Sequence, residues 1–206
     1  FDEMESVLRI YRIPHTVVRR HQLINMNLRR VKVLCINCGR SPSPVQEEPL
    51  VKKVREFAKG GGWVIASDWA LTPYLTGAFP RYVKEFKPRR QQRDATVVVK
   101  PRGKTSPLIE GVFANKLRTR WWLEDSSRFV KPMSGRVKVL IESEDMKNEW
   151  GNGNVAVEFR PSRDGRVVFL LGHFFQKDGN RAGVVGMHRL ILNFMLEKFR
   201  GKAGAR

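Results

Sequence analysis

Gly60-Gly61-Gly62-Trp63-Val64-Ile65-Ala66-Ser67-Asp68-Trp69-Ala70 is the stretch whose reading decides the fold. Three glycines stop a helix, an apolar run follows, and two polar side chains, Ser67 and Asp68, end it. A short apolar run bounded by Gly reads as a strand buried on both faces, as in a parallel sheet. In open α/β sheets the ligand site lies beyond the carboxyl ends of such strands. Ser67, Asp68 and Trp69 therefore mark the expected pocket.

Upstream, residues Val31 to Asn37 form a second apolar run, and Cys38-Gly39-Arg40-Ser41-Pro42 is a loop at its carboxyl end. Ser43 can cap the next helix, Pro44 suits its first position, and Gln46 completes a capping-box spacing. Leu50, Val51, Val54, Phe57 and Ala58 give it a buried stripe, and Gly60 suits the left-handed position after its end. The result is a strand–helix–strand unit with a right-handed crossover. Downstream, Asn154–Arg160 alternates apolar and polar residues. Asp164-Gly165 supplies a turn, and Arg166–Leu171 returns to the sheet centre, ending at Gly172-His173. A last helix runs from about Ala182 to Phe199 with Val184, Met187, Leu190, Ile191, Phe194 and Met195 on one face.

The remaining segments are weaker. Asp2–Ile13 and Gln22–Arg30 read as helices, and His15–Val18 as a short strand. Tyr82–Phe86 reads as a turn or two of helix, and Leu108–Phe113 as a short helix or turn. Thr96–Val99, Arg128–Val130 and Val137–Ile141 read as strands. The expected architecture is a three-layer α/β domain: a mostly parallel, flavodoxin- or Rossmann-like sheet flanked by helices, with an antiparallel hairpin near the C-terminus. It is expected to occupy residues 1–200, with a looser insertion at about 70–130 and a basic tail at 201–206.

At 206 residues and 41% hydrophobic content the chain is long and apolar enough for a globular domain and excludes a disordered one. No apolar run approaches the roughly 20 residues that span a bilayer. The sequence starts at Phe1 and is expected to be a fragment of a larger cytoplasmic protein. Net charge is +19, spread as +6 over residues 1–62, +8 over 63–133 and +5 over 134–206. It is densest from Arg81 to Lys104. Arg89, Arg90 and Arg93 are the nucleic-acid candidates there, but no aromatic residue is interleaved to stack a base. A spread excess reads first as a solvated surface or one facing an acidic partner.

Cys35 and Cys38 have a redox-pair spacing, but Cys35 falls inside an apolar run and reads as a core residue. No second ligand pair at zinc spacing follows, so no metal is expected. The triple glycine precedes a strand, not a helix, so it is no phosphate cradle, and no cofactor is expected.

Four segments in this order resemble the class I glutamine amidotransferase-like superfamily, most closely its trehalose-utilisation-type branch. They are Val33–Gly39, Gly60–Ala70, Ser106–Val112 and Gly165–His173. The likeness spans roughly residues 14–199 and implies that the first strand of that fold is missing. In catalytic members of the superfamily the nucleophilic Cys stands on a sharp turn after the strand matching Trp63–Ser67; here Ser67-Asp68 stand there. His173 matches the catalytic His, and Phe174-Phe175-Gln176 replace the acid that usually follows it. The resemblance therefore implies a catalytically degenerate domain, serving as a ligand-binding or protein-interaction module beside other domains or subunits. The expected pocket is Cys38, Gly39, Ser67, Asp68, Trp69 and His173.

A hydrolase using Ser67 or Asp68 with His173 is the alternative, provided the two strand ends are neighbours. A basic nucleic-acid-binding domain is the second alternative. Against the hydrolase stands a plainer reading, in which Asp68 caps a turn and His173 bonds a loop carbonyl. Trp69, Trp121 and Trp122 could line an apolar pocket or pack in a core. Glu124-Asp125-Ser126-Ser127 is a polar cluster placed to face the same corner.

Overall fold

The computed structural model describes residues 3–39, 44–103, 106–113, 119–174 and 181–200, with backbone alone for 44–46. The Ser43 and Gln46 capping contacts, Arg40–Pro42, Phe175-Gln176 and the tail at 201–206 lie outside the described residues.

Three short elements begin the chain: α1 (Met4–Ile10), α2 (Arg20–Asn25) and β1 (Val33–Ile36). The crossover helix α3 (Pro44–Lys59) then leads into β2 (Trp63–Ser67). All five β2 residues are buried, because β2 has a parallel neighbour on each side. Cys35 of β1 and Val168 on the other side both pair with Ile65. Leu50, Val51, Val54 and Ala58 of α3 are buried in the core, as their spacing requires. The helix ends one residue later than expected: Gly61, not Gly60, takes the left-handed conformation, at φ 93°. The Gly62 amide can then close the last turn on Phe57 O at 2.9 Å.

Beyond β2 come α4 (Tyr74–Ala78), β3 (Val83–Phe86), β4 (Ala95–Val98), β5 (Lys100–Pro101), β6 (Arg120–Leu123), β7 (Phe129–Pro132) and β8 (Lys138–Glu142). They are followed by α5 (Glu144–Trp150), β9 (Asn154–Phe159), β10 (Arg166–Leu170) and α6 (Arg181–Arg200). The main sheet has the order β1-β2-β10-β9-β8-β5. β1, β2 and β10 are parallel, and β9, β8 and β5 each run antiparallel to the strand before them. Four strands (β1, β2, β10 and β8) thus point one way and two (β9 and β5) the other. Two small antiparallel pairs, β3–β7 and β4–β6, lie outside this sheet. Among the described residues no helix is long and apolar enough to cross a membrane.

The structure corrects two local expectations. Tyr82–Phe86 is not helical: Tyr82 ends a turn and its ring stacks on Phe159 at 4.7 Å, while Val83–Phe86 is the strand β3, paired with β7 and with Val83 buried. His15–Val18 is not a strand, since no neighbouring strand pairs with it and Val17 stays exposed. Several elements went unread, β6 and α5 among them. Trp121 to Leu123 of β6 are buried, and α5 is capped by the Ser143 hydroxyl and closed by left-handed Gly151.

α6 buries Met187, Leu190, Ile191 and Phe194. Phe194 meets the Trp63 ring at 5.1 Å, and Asn193 donates to Leu108 O and Glu110 O. Near the start of β2 sits a buried ion pair. Arg166 Nη2 lies 2.7 Å from Glu158 Oε1, both side chains no more than 7% exposed, with the guanidinium over Trp63. Breaking such a pair from one side leaves a buried unpaired charge. Arg166→Met should therefore cost about 3–5 kcal/mol, a fall of roughly 6–20 °C in Tm, and adding Glu158→Leu should restore most of it. Thermal and urea unfolding of the wild type and the two variants measures this. A single-variant loss of about 1 kcal/mol or less would show a solvated pair instead.

Candidate functional site

β2 ends at Ser67 and the chain turns at once into a 3₁₀ segment, Asp68–Leu71. Asp68 sits at φ 37°, a left-handed conformation that costs a non-glycine residue about 1–3 kcal/mol unless its surroundings hold it. They do. Asp68 Oδ1 accepts from the Arg128 amide at 2.7 Å, and Oδ2 accepts from Ser127 Oγ at 2.6 Å. Oδ2 is also 3.1 Å from His173 Nε2. Asp68 thus caps no turn of its own; it anchors the loop between β6 and β7 to the end of β2.

His173 reaches the corner because β10 is the parallel neighbour of β2. Gly172, at φ 107°, turns the chain there, where a Cβ would come within 3.3 Å of Trp122 O. The imidazole lies beside the Trp122 ring, 5.2 Å between centroids. A second carboxylate approaches the same nitrogen, with Glu124 Oε2 3.6 Å from His173 Nε2. The acid that the sequence lacks immediately after His173 is therefore matched in space by carboxylates from two other segments.

Of the residues expected in the pocket, Cys38 joins this corner. Its amide donates to Ser67 Oγ at 3.0 Å. One donor atom each from Cys38, Glu124 and His173 lie within 4.8 Å of one another. Ser67 and Asp68 are fully buried and His173 is 1% exposed. Trp69 stands to one side under the Arg128 guanidinium, 4.7 Å from its ring. Trp121 is core. Gly39 falls outside the cluster, on the wall of a cavity of about 610 Å³. That cavity lies between β1, α6 and residues 13–18, and of the expected pocket it touches Cys38 and Gly39 alone. A second cavity of about 640 Å³ opens near Gly60–Gly62, at the other end of β2. Neither reaches Asp68 or His173.

Sequence reasoning had Glu124 and Ser127 only as a polar cluster, and it missed Gln92. That side chain is buried, and its Oε1 accepts from the Ser127 amide at 2.7 Å. The nucleic-acid candidates are partly occupied within the fold. Arg90 pairs with Glu149 at 3.7 Å, and the Arg89 side chain lies over Gly151. Cys35 and Cys38 are both free thiols, and burial first, then Glu5, pushes the Cys35 thiol up to about 12. His188 is half-buried against Tyr11, and burial lowers its pKa.

No protein-family model matches the chain, and no curated protein matches it in sequence. Solved structures do match in fold. A protein described as a GMP synthase subunit, from Thermoplasma acidophilum, superposes with TM-score 0.62 at 9% identity, over 96% of this chain and 89% of that one. A glutamine amidotransferase from Thermotoga maritima gives 0.55 at 13% identity, over 98% and 79%. A ThuA-like protein from Bacteroides uniformis gives 0.52 at 12% identity, over 81% and 68%. The chain has the fold of class I glutamine amidotransferase-like proteins.

Arg128 also pairs with Glu85 at 2.9 Å. Burial alone would push the Glu85 carboxyl up, but hydrogen bonds from Lys87 and Arg128 outweigh it and hold it below the ordinary value. A depressed carboxyl stabilises the fold above its unfolded pKa, about 4.3, and the contribution is lost as pH falls through the folded value. Urea unfolding between about pH 5 and pH 3 should show the wild type losing stability faster than Glu85→Gln. Parallel acid limbs would refute this role for Glu85.

Proposed function

We propose that this chain is a non-catalytic amidotransferase-like domain, a ligand-binding or protein-interaction module working with other domains or subunits. The observation that carries the reading is the state of the turn after β2. At the turn where the resemblance puts a nucleophilic Cys stand Ser67 and Asp68, both fully buried, and both Asp68 carboxylate oxygens already accept hydrogen bonds. A nucleophile must be reached by its substrate, and neither cavity leads to this one.

One observation favours the hydrolase reading: His173 Nε2 lies within 3.1 Å of Asp68, inside the reach a general base requires. Burial weighs against it, since Ser67, the hydroxyl such a mechanism would activate, has no exposed surface and is committed to the Cys38 amide. Incubation with glutamine and with a panel of esters and amides should give no turnover above that of a Ser67→Ala, His173→Ala double variant. Turnover in the wild type that disappears in the double variant would establish the hydrolase instead.

A further inference from the structure

We propose that Cys38, Glu124 and His173 form a zinc site at the carboxyl end of the sheet. The inference names the ligand of the binding corner described above and takes its location from that reading. Three segments far apart in sequence deliver a thiol, a carboxylate and an imidazole to one point, their donor atoms within 4.8 Å of one another. These are the ligand types zinc takes, with bonds of about 2.0–2.3 Å. Tetrahedral geometry then sets ligand atoms about 3.3–3.7 Å apart. His173 Nε2 and Glu124 Oε2 are 3.6 Å apart, so this pair is already at ligand spacing. The thiol lies within 4.8 Å of both, so at most about 1–1.5 Å separates it from ligand spacing on the same geometry.

Electrostatics points the same way. Two carboxylates, Asp68 and Glu124, converge on the same imidazole nitrogen, and His173 is almost wholly buried. Among the described residues no Lys or Arg side chain is seen paired with Asp68; its two hydrogen-bond donors are a hydroxyl and an amide. Anionic oxygens gathered in a poorly solvated place call for a cation among them. A divalent ion supplies one, and the Cys38 thiolate, with its proton released on binding, completes a soft donor set that favours zinc over magnesium or calcium. The site is also built to be held and reached. The Cys38 amide is fixed to Ser67 Oγ, and the Glu124 side chain is 22% exposed, which leaves a path from solvent. Three protein ligands leave a fourth position for water or for a group from a bound partner.

The test uses the untagged chain, stripped with chelator and titrated with Zn²⁺, and with Co²⁺ as a spectroscopic probe. One ion per chain is expected. Zinc should raise the melting temperature, and cobalt should give tetrahedral d–d bands with a thiolate charge-transfer band. Cys38→Ser and Glu124→Gln alter partly exposed side chains, and circular dichroism checks their folding. Each should lower zinc affinity by more than about 100-fold, and Cys38→Ser should abolish the charge-transfer band. Failure of the wild type to take up zinc would overturn the proposal. Uptake undiminished in both variants would overturn it too. Turnover on the ester and amide panel would sink the non-catalytic reading while leaving the zinc site standing, so the two failures are distinguishable.

Discussion

A buried carboxylate holds the carboxyl end of the sheet together. Placing an ionised Asp68 out of water costs several kcal/mol unless donors surround it. The donors come from the loop between β6 and β7, with the His173 imidazole at the end of β10 beside them. The same contacts offset the left-handed backbone of Asp68. In a catalytic relative a strained turn here would present a nucleophile. In this chain the turn presents an anchor, and the strained geometry persists because it aims the carboxylate into the protein.

The two sides of the anchor differ. On one, Arg128 covers Trp69 and pairs with Glu85, which also accepts from Thr72 and Lys87. That side is a polar network tied through Arg128 and Glu85, with Arg128 Nε buried and lacking a hydrogen-bond partner among the described residues. On the other side stand Cys38 and Glu124, both partly exposed, with His173 behind them. From solvent, the end of the sheet therefore presents a thiol and a carboxylate first, with Asp68 and His173 buried behind them.

β2 was legible because a run buried on both faces leaves no alternation to misread and because glycines bound it. That His173 could reach the end of β2 was conditional on the two strand ends being neighbours, which β2 and β10 are, and Asp68 and His173 meet there. Ser127 and Glu124 were harder to assign. Their contacts to Asp68 and His173 bridge dozens of residues, and nothing local says which polar cluster faces inward. Gln92 was hidden by its neighbours, since a glutamine in an arginine-rich run reads as surface until the loop it braces is known. Tyr82–Phe86 misled because a five-residue stretch has little period of its own, and pairing with β7 decided it. α5 was legible in principle: Ser143 at its start, Glu144 and Asp145 in its first turn and Gly151 after it are ordinary end signals.

The net charge of +19 takes on a different meaning once burial is known. Among the described residues the buried charged side chains are Glu47, Asp68, Glu158 and Arg166, so the interior takes up carboxylates more than cations. Glu47 and Glu158 each have an arginine partner, at 3.1 and 2.7 Å. Asp68 instead has a hydroxyl, a backbone amide and the His173 imidazole around its carboxylate. The protein thus combines a cationic surface with a locally anionic corner. Surface charges more than about 8 Å away are largely screened at physiological salt, whereas a poorly solvated group is screened far less. A small cation at the end of the sheet would respond to Asp68 and Glu124 more than to the distant arginines. A large anionic partner would respond to the surface. One chain can therefore hold a cation in its corner and face an acidic partner without the two demands conflicting.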